Sequence, residues 1–144
     1  MKIKVINGPN LNLLGIREVA IYGKQNYAAL KQCISDYAQM HGVEIEIFQS
    51  NSEGAIVDAI QDCLGNFDAI IFNPAAYTHT SIAILDALKA VALPAVEVHL
   101  SDVDSREDFR KISYAGMACC QRFAGMGFDG YLRAINFLIG QAAR

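Results

Sequence analysis

The chain has 144 residues, of which 53% are hydrophobic and 19% are charged, and its formal net charge at pH 7 is -3. A chain of this length fits one domain, residues 1–144, and can bury a core without disulfides or a structural metal. The small negative charge offers no general basic face, which argues against nucleic acid or an anionic membrane as a partner.

Short β-branched runs alternate with segments of helical periodicity, a pattern typical of βαβ units around a parallel sheet. The predicted strands are Lys2 to Asn7, Val43 to Ser50, Asp68 to Asn73, Pro94 to Leu100, and a weaker one within Gly116 to Gly125. The predicted helices are Tyr27 to His41, Glu53 to Leu64, Ser81 to Ala92 and Gly130 to Ala142. So short a chain favours an open, doubly wound flavodoxin-like α/β/α sandwich over a barrel, which needs about 250 residues.

The cysteines and the apolar runs restrict the remaining classes. Cys33, Cys63, Cys119 and Cys120 have neither CxxC spacing nor a disulfide framework, and the three histidines complete no zinc set. We therefore expect reduced thiols and no metal site. No apolar run approaches the length of a membrane span, and the apolar start is too short for a signal peptide, so a cytoplasmic location is predicted.

Four polar segments follow the predicted strands: NGPNLN, SNSEG, NPAAYTHTS and HLSD. Ligands of doubly wound sheets bind beyond the carboxyl ends of the strands, so these segments should converge on one crevice. Any one Asn, Ser or Thr is better explained as a turn or capping residue. Together, with the helix start after THTS, they favour a site for an oxygen-rich anion. The fingerprints of dinucleotide folds, P-loops and nucleophile elbows are absent.

His99 stands at the end of the fourth predicted strand, where an acid or base would be useful. Glu97, two residues earlier, faces the same side of the sheet and would orient the imidazole and favour its protonated form. A buried structural pair is the alternative. Arg106 and Arg110 share a face if their segment is helical. They are either surface charges paired with neighbouring carboxylates or groups that bind a carboxylate in the site.

The segment from Gly15 to Gly23 contains Arg17 and Tyr22, which no packing pattern requires. Only about 0.1% of a tyrosine with an ordinary pKa is phenolate at pH 7. A neighbouring guanidinium lowers such a pKa by about 1 to 3 units, so Arg17 is a candidate activator of a basic Tyr22. The bracketing glycines suit a lid that closes over substrate. An exposed loop with a stacked Arg-Tyr pair explains the local sequence equally well.

The motifs together resemble the type II 3-dehydroquinate dehydratases over nearly the whole chain. The matching stretches are INGPNLNLLG, REVAIYG, QSNSEG, NPAAYTHTS, LDAL, VEVHLSD, REDFRKISY and GFDGYLRAI. The resemblance implies a flavodoxin-like subunit, assembled as trimers into a dodecamer, that dehydrates 3-dehydroquinate to 3-dehydroshikimate without metal or organic cofactor. The reaction would serve aromatic biosynthesis by the shikimate pathway or quinate breakdown.

The resemblance also implies roles for individual residues. Tyr22 corresponds to the base that removes a proton from C2, Arg17 to the group that favours its phenolate, and Asn10 to a residue holding the water that stabilises the enolate. His99 corresponds to the general acid and Glu97 to its orienting carboxylate. The implied substrate-binding groups are Asn73, His79, Arg110, the Ser101 hydroxyl, the Leu100 and Ser101 backbone amides and, from a neighbouring subunit, Asp86.

The chain departs from the family pattern at three places. Val19 stands where proline commonly follows the lid glutamate, Ala75 or Ala76 where glycine is common, and Asp102 where asparagine is frequent. An inward-facing carboxylate at Asp102 would weaken anion binding. Two other functions fit the fold: a module that only binds a polyhydroxylated acid or phosphate, and a flavin-dependent carrier. The carrier is disfavoured because NGPNLN lacks a Ser/Thr-rich phosphate cradle.

Overall fold

The computed structural model describes residues 1–16 and 25–144, and its centre is a parallel five-stranded sheet. The strands are β1 (Lys2–Asn7), β2 (Glu44–Gln49), β3 (Ala69–Asn73), β4 (Ala95–His99) and β5 (Gln121–Ala124). Their order across the sheet is β2-β1-β3-β4-β5, and every neighbouring pair is parallel. The doubly wound α/β prediction is confirmed, and each predicted strand is present, most of them one residue shorter at one or both ends.

The described ranges contain four α-helices. They are α1 (Tyr27–Met40), α2 (Glu53–Gln61), α3 (Ile82–Val91) and α4 (Asp129–Ala142). Ser81 caps α3 by accepting a hydrogen bond from the Ile84 amide, as the THTS pattern predicts. Gly42 follows α1 with φ 67°, a left-handed conformation in which glycine carries no Cβ penalty. Helix α2 ends three residues before the predicted boundary, in a turn that runs to Gly65.

Helices cover both faces of the sheet, and a separate apolar cluster fills each interface. On one face, α1 and α4 pack on β1, β3 and β4 through buried side chains such as Ile34, Ile135 and Ile71. On the other face, α2 and α3 pack on the alternate residues of these strands, among them Ile70 and Phe72. The period of two along each strand thus supplies both clusters of a three-layer sandwich.

The connection between β4 and β5 contains no α-helix. It consists of three short 3-10 turns, Val103–Ser105, Asp108–Arg110 and Ala115–Ala118. The Tyr114 amide donates to the carbonyl of Thr78 in the 3-10 turn after β3, and the Cys120 amide donates to the carbonyl of Ala95 in β4. This segment carries the predicted Arg110 to one end of the sheet.

The sequence also led to predictions about the thiols, metal binding and membrane-spanning segments. All four cysteines are free thiols. In residues 1–16 and 25–144, no group of three or more His, Cys, Asp and Glu side chains is arranged to hold a metal ion. Within the same part of the chain, no helix has both the length and the apolar character needed to cross a membrane.

Candidate active site

A cleft opens at the carboxyl ends of β1, β3 and β4, where the sheet topology places a ligand. It is lined by Pro9, Asn10, Leu11, Asn73, Ala75, Ala76, His79, His99, Leu100, Ser101, Val103, Arg106 and Arg110. All the predicted substrate-binding residues except Asp86 are therefore in one place, together with Asn10 and His99. Asp86 lies on the exposed side of α3, outside this lining. Arg17 and Tyr22 lie outside the described residues.

His99 and Glu97 form a buried hydrogen-bonded pair on the side of β4 that their spacing predicts. His99 Nε2 lies 2.6 Å from Glu97 Oε1, and the two residues are 5% and 0% exposed. A carboxylate oxygen only accepts hydrogen bonds, so Nε2 carries the proton of this bond and Nδ1 is the ring nitrogen left for other partners. The carboxylate fixes the tautomer and orientation of an imidazole that lines the cleft.

Glu97 has two further partners that the sequence did not reveal. The Ser113 hydroxyl donates to Glu97 Oε1 over 2.6 Å, and Arg122 Nε lies 3.7 Å from Glu97 Oε2. Ser113 belongs to the turn segment before β5, and Arg122 stands opposite Glu97 in the β4–β5 register. Only the register of two strands joined by a long connection brings these residues together. The only sign of this contact in the sequence was the charged side chain of Arg122 within a weakly predicted strand.

The environment of Glu97 keeps it ionised. Burial alone would raise the pKa of Glu97, but the hydrogen bond and charge of His99, the Ser113 hydroxyl and the Arg122 charge outweigh burial and lower that pKa below its usual value. Glu97 is therefore a carboxylate at neutral pH.

Asn73 is held by a buried network at the base of the cleft. Its Nδ2 donates to the Tyr131 hydroxyl over 3.0 Å, and that hydroxyl donates to Asn7 Oδ1 over 2.7 Å. Asn73 Oδ1 also accepts from the Ala75 amide. Burial raises the pKa of Tyr131, although the Asn73 hydrogen bond opposes this, so the hydroxyl stays protonated. The network was not predicted, because α4 contributes Tyr131 from the other end of the chain.

His79 presents a hydrogen-bond acceptor to the cleft, and its ring orientation is fixed by a backbone contact. Its Nδ1 lies 2.7 Å from the carbonyl oxygen of Ile112, which can only accept, so Nδ1 carries a proton. Burial lowers the pKa of His79; the hydrogen bond to Ile112 opposes this effect, and the charges of His99 and Arg110 add to it, with a net lowering. At neutral pH the ring is therefore neutral, and its Nε2 is a lone-pair acceptor suited to a hydroxyl group.

Two arginines place positive charge along one side of the cleft. Arg110 Nε lies 2.7 Å from Glu107 Oε2, and Arg106 Nε lies 3.9 Å from the same oxygen. Both arginines line the cleft, whereas Glu107 is exposed and outside the lining. The fork of donors on each guanidinium matches a carboxylate. This side of the cleft is therefore the expected position of a ligand's carboxylate.

Two of the departures from the family pattern fall on described residues. Ala75 has φ 51°, in the left-handed region that favours glycine, whereas Ala76 is not among the residues with positive φ. Ala75 is therefore the position where glycine is the easier residue. Asp102 is exposed and does not line the cleft. Its carboxylate does not face the anion side, which removes the expected repulsion.

Comparison with known proteins agrees with this geometry. The family model described as Dehydroquinase class II matches residues 1–139. The chain belongs to this family. A 3-dehydroquinate dehydratase of Lachnoclostridium phytofermentans is 51% identical over 140 residues, which cover 96% of this chain and 97% of the relative. One of Geotalea daltonii is 54% identical over 136 residues, 94% of each chain.

Solved class II dehydroquinases have the same fold as this family member. The structure of the type II dehydroquinase from Butyrivibrio crossotus superposes with a TM-score of 0.95 at 50% identity and covers 96% of this chain and 97% of that chain. The type II dehydroquinase from Propionibacterium acnes gives a TM-score of 0.93 at 36% identity, with 96% of each chain covered. The similarity therefore spans the cleft as well as the sheet.

Proposed function

We propose that this protein dehydrates 3-dehydroquinate to 3-dehydroshikimate and is a hydro-lyase. The observation that carries the proposal is the buried His99–Glu97 pair at the base of a cleft whose other side holds Arg106 and Arg110. Such a cleft can bind a polyhydroxylated carboxylate and deliver a proton to it. Membership of the class II dehydroquinase family supplies the substrate and the reaction.

The first step of the proposed mechanism removes a proton from C2 of the substrate, beside the ketone. Tyr22 is the proposed base, and the positive charge of Arg17 favours its phenolate. The electrons of the broken C–H bond move into the ketone, giving an enolate. Asn10 would help to hold the water that donates to the enolate oxygen. Asn10 lines the cleft, and its backbone amide donates to Asn51 Oδ1, which fixes this turn.

In the second step, the enolate collapses to the ketone, the C1–O bond breaks and a double bond forms between C1 and C2. The leaving hydroxyl needs a proton to depart as water, and His99 is the proposed donor. Because Nε2–H is engaged with Glu97, we assign the transferred proton to Nδ1 of the imidazolium. Glu97 remains a carboxylate throughout, and His99 regains its Nδ1 proton from solvent after the product leaves.

The substrate would be held by groups already positioned in the cleft. Arg110 is assigned to the carboxylate, and neutral His79 and Asn73 to the hydroxyl groups. The Ser101 hydroxyl and the Leu100 and Ser101 amides complete the set. The carbonyls of Leu100 and Ser101 accept hydrogen bonds from the Gly127 and Gly125 amides, which orients this turn at the end of β4.

The assembly and location form a second part of the proposal. Trimers assembled into a dodecamer would bring Asp86 of one subunit to the site of another, and Asp86 is exposed on α3. We place the enzyme in the cytoplasm, in aromatic biosynthesis or quinate breakdown, and its reaction needs no metal or organic cofactor. Light scattering coupled to size exclusion tests the assembly: a monomeric species with full activity would contradict the role of Asp86.

The deciding experiment follows the ultraviolet absorbance of the conjugated enone after protein is added to 3-dehydroquinate. The wild type should produce the absorbance, whereas Tyr22→Phe and His99→Ala should lose nearly all of it with circular dichroism unchanged. Calorimetric titration of substrate into both variants is the control for binding. Substantial turnover by either variant would refute its assigned role. Binding without turnover by the wild type would instead identify a binding module.

A further inference from the structure

Arg122 and Glu97 approach each other closely inside the protein without forming a hydrogen bond. Arg122 Nε lies 3.7 Å from Glu97 Oε2, and each of these two buried atoms lacks a hydrogen-bond partner. The other end of the guanidinium is held by Asp104, with Nη1 3.5 Å from Oδ2. The contact is therefore mainly electrostatic. Its strength depends on charge and distance rather than on hydrogen-bond geometry.

The two carboxylate oxygens of Glu97 have different partners. Oε1 accepts from His99 and from Ser113, whereas Oε2 faces Arg122. Gly116 makes this arrangement possible, because a Cβ atom built on it would lie 2.5 Å from Oε2. The turn can thus close over the carboxylate and leave Glu97 0% exposed. In this enclosed position, one carboxylate interacts with two cationic groups whenever His99 is protonated.

Few other charged groups face Glu97. From its own strand the facing group is His99, from β5 it is Arg122, and the turn between Ser113 and Cys120 contributes the thiol of Cys119. His79, from the turn after β3, also interacts electrostatically with Glu97 and His99, but burial lowers its pKa, so it is neutral at neutral pH. Burial raises the pKa of Cys119 to about 12, so this thiol is neutral and places no charge beside Glu97. Asp104 faces Arg122 from the first turn after β4. Among the described residues, the charge balance around Glu97 is therefore set mainly by His99 and Arg122.

We propose that Arg122 is a positioning residue that makes His99 a stronger acid by sharing the negative charge of Glu97. This inference rests on the proposed function of His99 as the general acid. With Arg122 present, the imidazolium is stabilised by only part of the carboxylate's charge and is repelled by a second cation. Its proton therefore leaves more readily when the substrate hydroxyl departs. A purely structural Arg122 would affect folding and leave the titration of His99 unchanged.

The test compares Arg122→Met, which removes the charge, with Arg122→Lys, which retains it. Removing the cation should move the titration midpoint of the His99 ring upward by about 0.5 to 1 pH unit. This shift is smaller than that caused by a charge in direct contact with the ring, because Arg122 acts through Glu97. The Lys variant should stay close to the wild type. The ring is followed by nitrogen-15 NMR, with assignment from the signal lost in His99→Asn. Arg133→Met, which removes an exposed charge from α4, is the matched control.

Turnover provides a second readout. Arg122→Met should reduce the pH-independent, limiting kcat about threefold with KM nearly unchanged, because proton donation becomes weaker while the binding groups are untouched. The alkaline limb of its pH-rate profile should move upward together with the NMR midpoint. The NMR measurement needs no turnover, so an inactive wild type would refute the proposed function and still leave the role of Arg122 decided.

Two outcomes would overturn the proposal: an unchanged midpoint in Arg122→Met, or a midpoint in Arg122→Lys that moves as far as in the Met variant. If Arg122→Met does not fold, Asp104→Asn replaces it, because Asp104 is an exposed residue that holds the outer end of the guanidinium. Losing this carboxylate strengthens the influence of Arg122 on Glu97, so the midpoint should move downward. A midpoint that stays in place or rises in Asp104→Asn would equally overturn the proposal.

Discussion

The hydroxyl group of Tyr131 donates a 2.7 Å hydrogen bond to Oδ1 of Asn7, although 124 residues separate the two in the chain. Both residues are fully buried. The same hydroxyl accepts the hydrogen bond from Asn73, so α4 is tied to the carboxyl ends of β1 and β3 at one point. The position of a proposed substrate-binding residue thus depends on a helix outside the cleft lining.

Tyr131→Phe should destabilise the protein and disturb the cleft. Removing the hydroxyl leaves Asn7 Oδ1 and Asn73 Nδ2 without this partner in the interior, which should cost about 1 to 3 kcal/mol in urea unfolding, and KM should rise as Asn73 loses its anchor. Tyr27→Phe is the control, because the Tyr27 hydroxyl is 3.4 Å from Asn7 Nδ2 and only half-buried. Equal losses in the two variants would contradict the special role of Tyr131.

Ala75→Gly should stabilise the protein. Ala75 adopts φ 51°, and glycine avoids the Cβ penalty there, a gain of about 1 kcal/mol in the free energy of unfolding. Ala92→Gly should give a similar gain, since Ala92 has φ 53° at the end of α3, outside the cleft. The neighbouring Ala76→Gly should bring no gain, because Ala76 is not strained. A loss of stability in Ala75→Gly would show that the turn needs the methyl group.

Glu97→Gln should change how stability depends on pH. The folded protein lowers the pKa of Glu97 below its ordinary value of 4.5, so the ionised carboxylate contributes stability above that pH and loses it as pH falls through the lowered value. At pH 7 the variant should be about 3 kcal/mol less stable, because a buried ion pair loses one partner. Urea titrations from pH 7 to pH 3.5 should show this gap closing below pH 4.5. A constant gap would mean that the carboxylate's charge contributes nothing.

Asp102→Asn should leave catalysis almost unchanged. The Asp102 side chain is exposed and outside the cleft lining, so water and salt screen its charge from the anion side. We expect KM for 3-dehydroquinate to stay within about twofold of the wild type at physiological ionic strength. A large fall in KM would place the carboxylate closer to the bound substrate than the cleft geometry indicates.

The sequence predicted the parts of the site that local patterns determine. Strand ends are visible from apolar runs and the turns that follow, so the convergence of Asn10, Asn73, His79 and His99 followed from the parallel topology. The prediction was wrong for the SNSEG segment after β2, which contributes no residue to the cleft lining. The period of two along β4 likewise predicted that Glu97 faces the same side as His99.

The rest depends on contacts between distant segments. The partners of Glu97 require the β4–β5 register, which no local pattern encodes, because a long connection without a helix separates the strands. Tyr131 reaches Asn7 only after α4 packs across the sheet. The strained backbone of Ala75 is invisible in its sequence, since alanine gives no sign of a left-handed conformation. Arg17 and Tyr22 stay predictions, supported by the resemblance.

The short turns that join β4 to β5 also affect local stability. A crossover helix would hold this segment by its own ladder of hydrogen bonds, whereas the turns depend on a few, such as the Tyr114 amide to Thr78. Segments with sparse protection open at a smaller free-energy cost than the strands beneath them. Amide hydrogens between Val103 and Ala118 should therefore exchange with solvent well before those of β1 and β3. Each such opening separates Ser113 from Glu97 while the sheet stays folded. The carboxylate that orients His99 would therefore lose one of its hydrogen bonds before the protein unfolds.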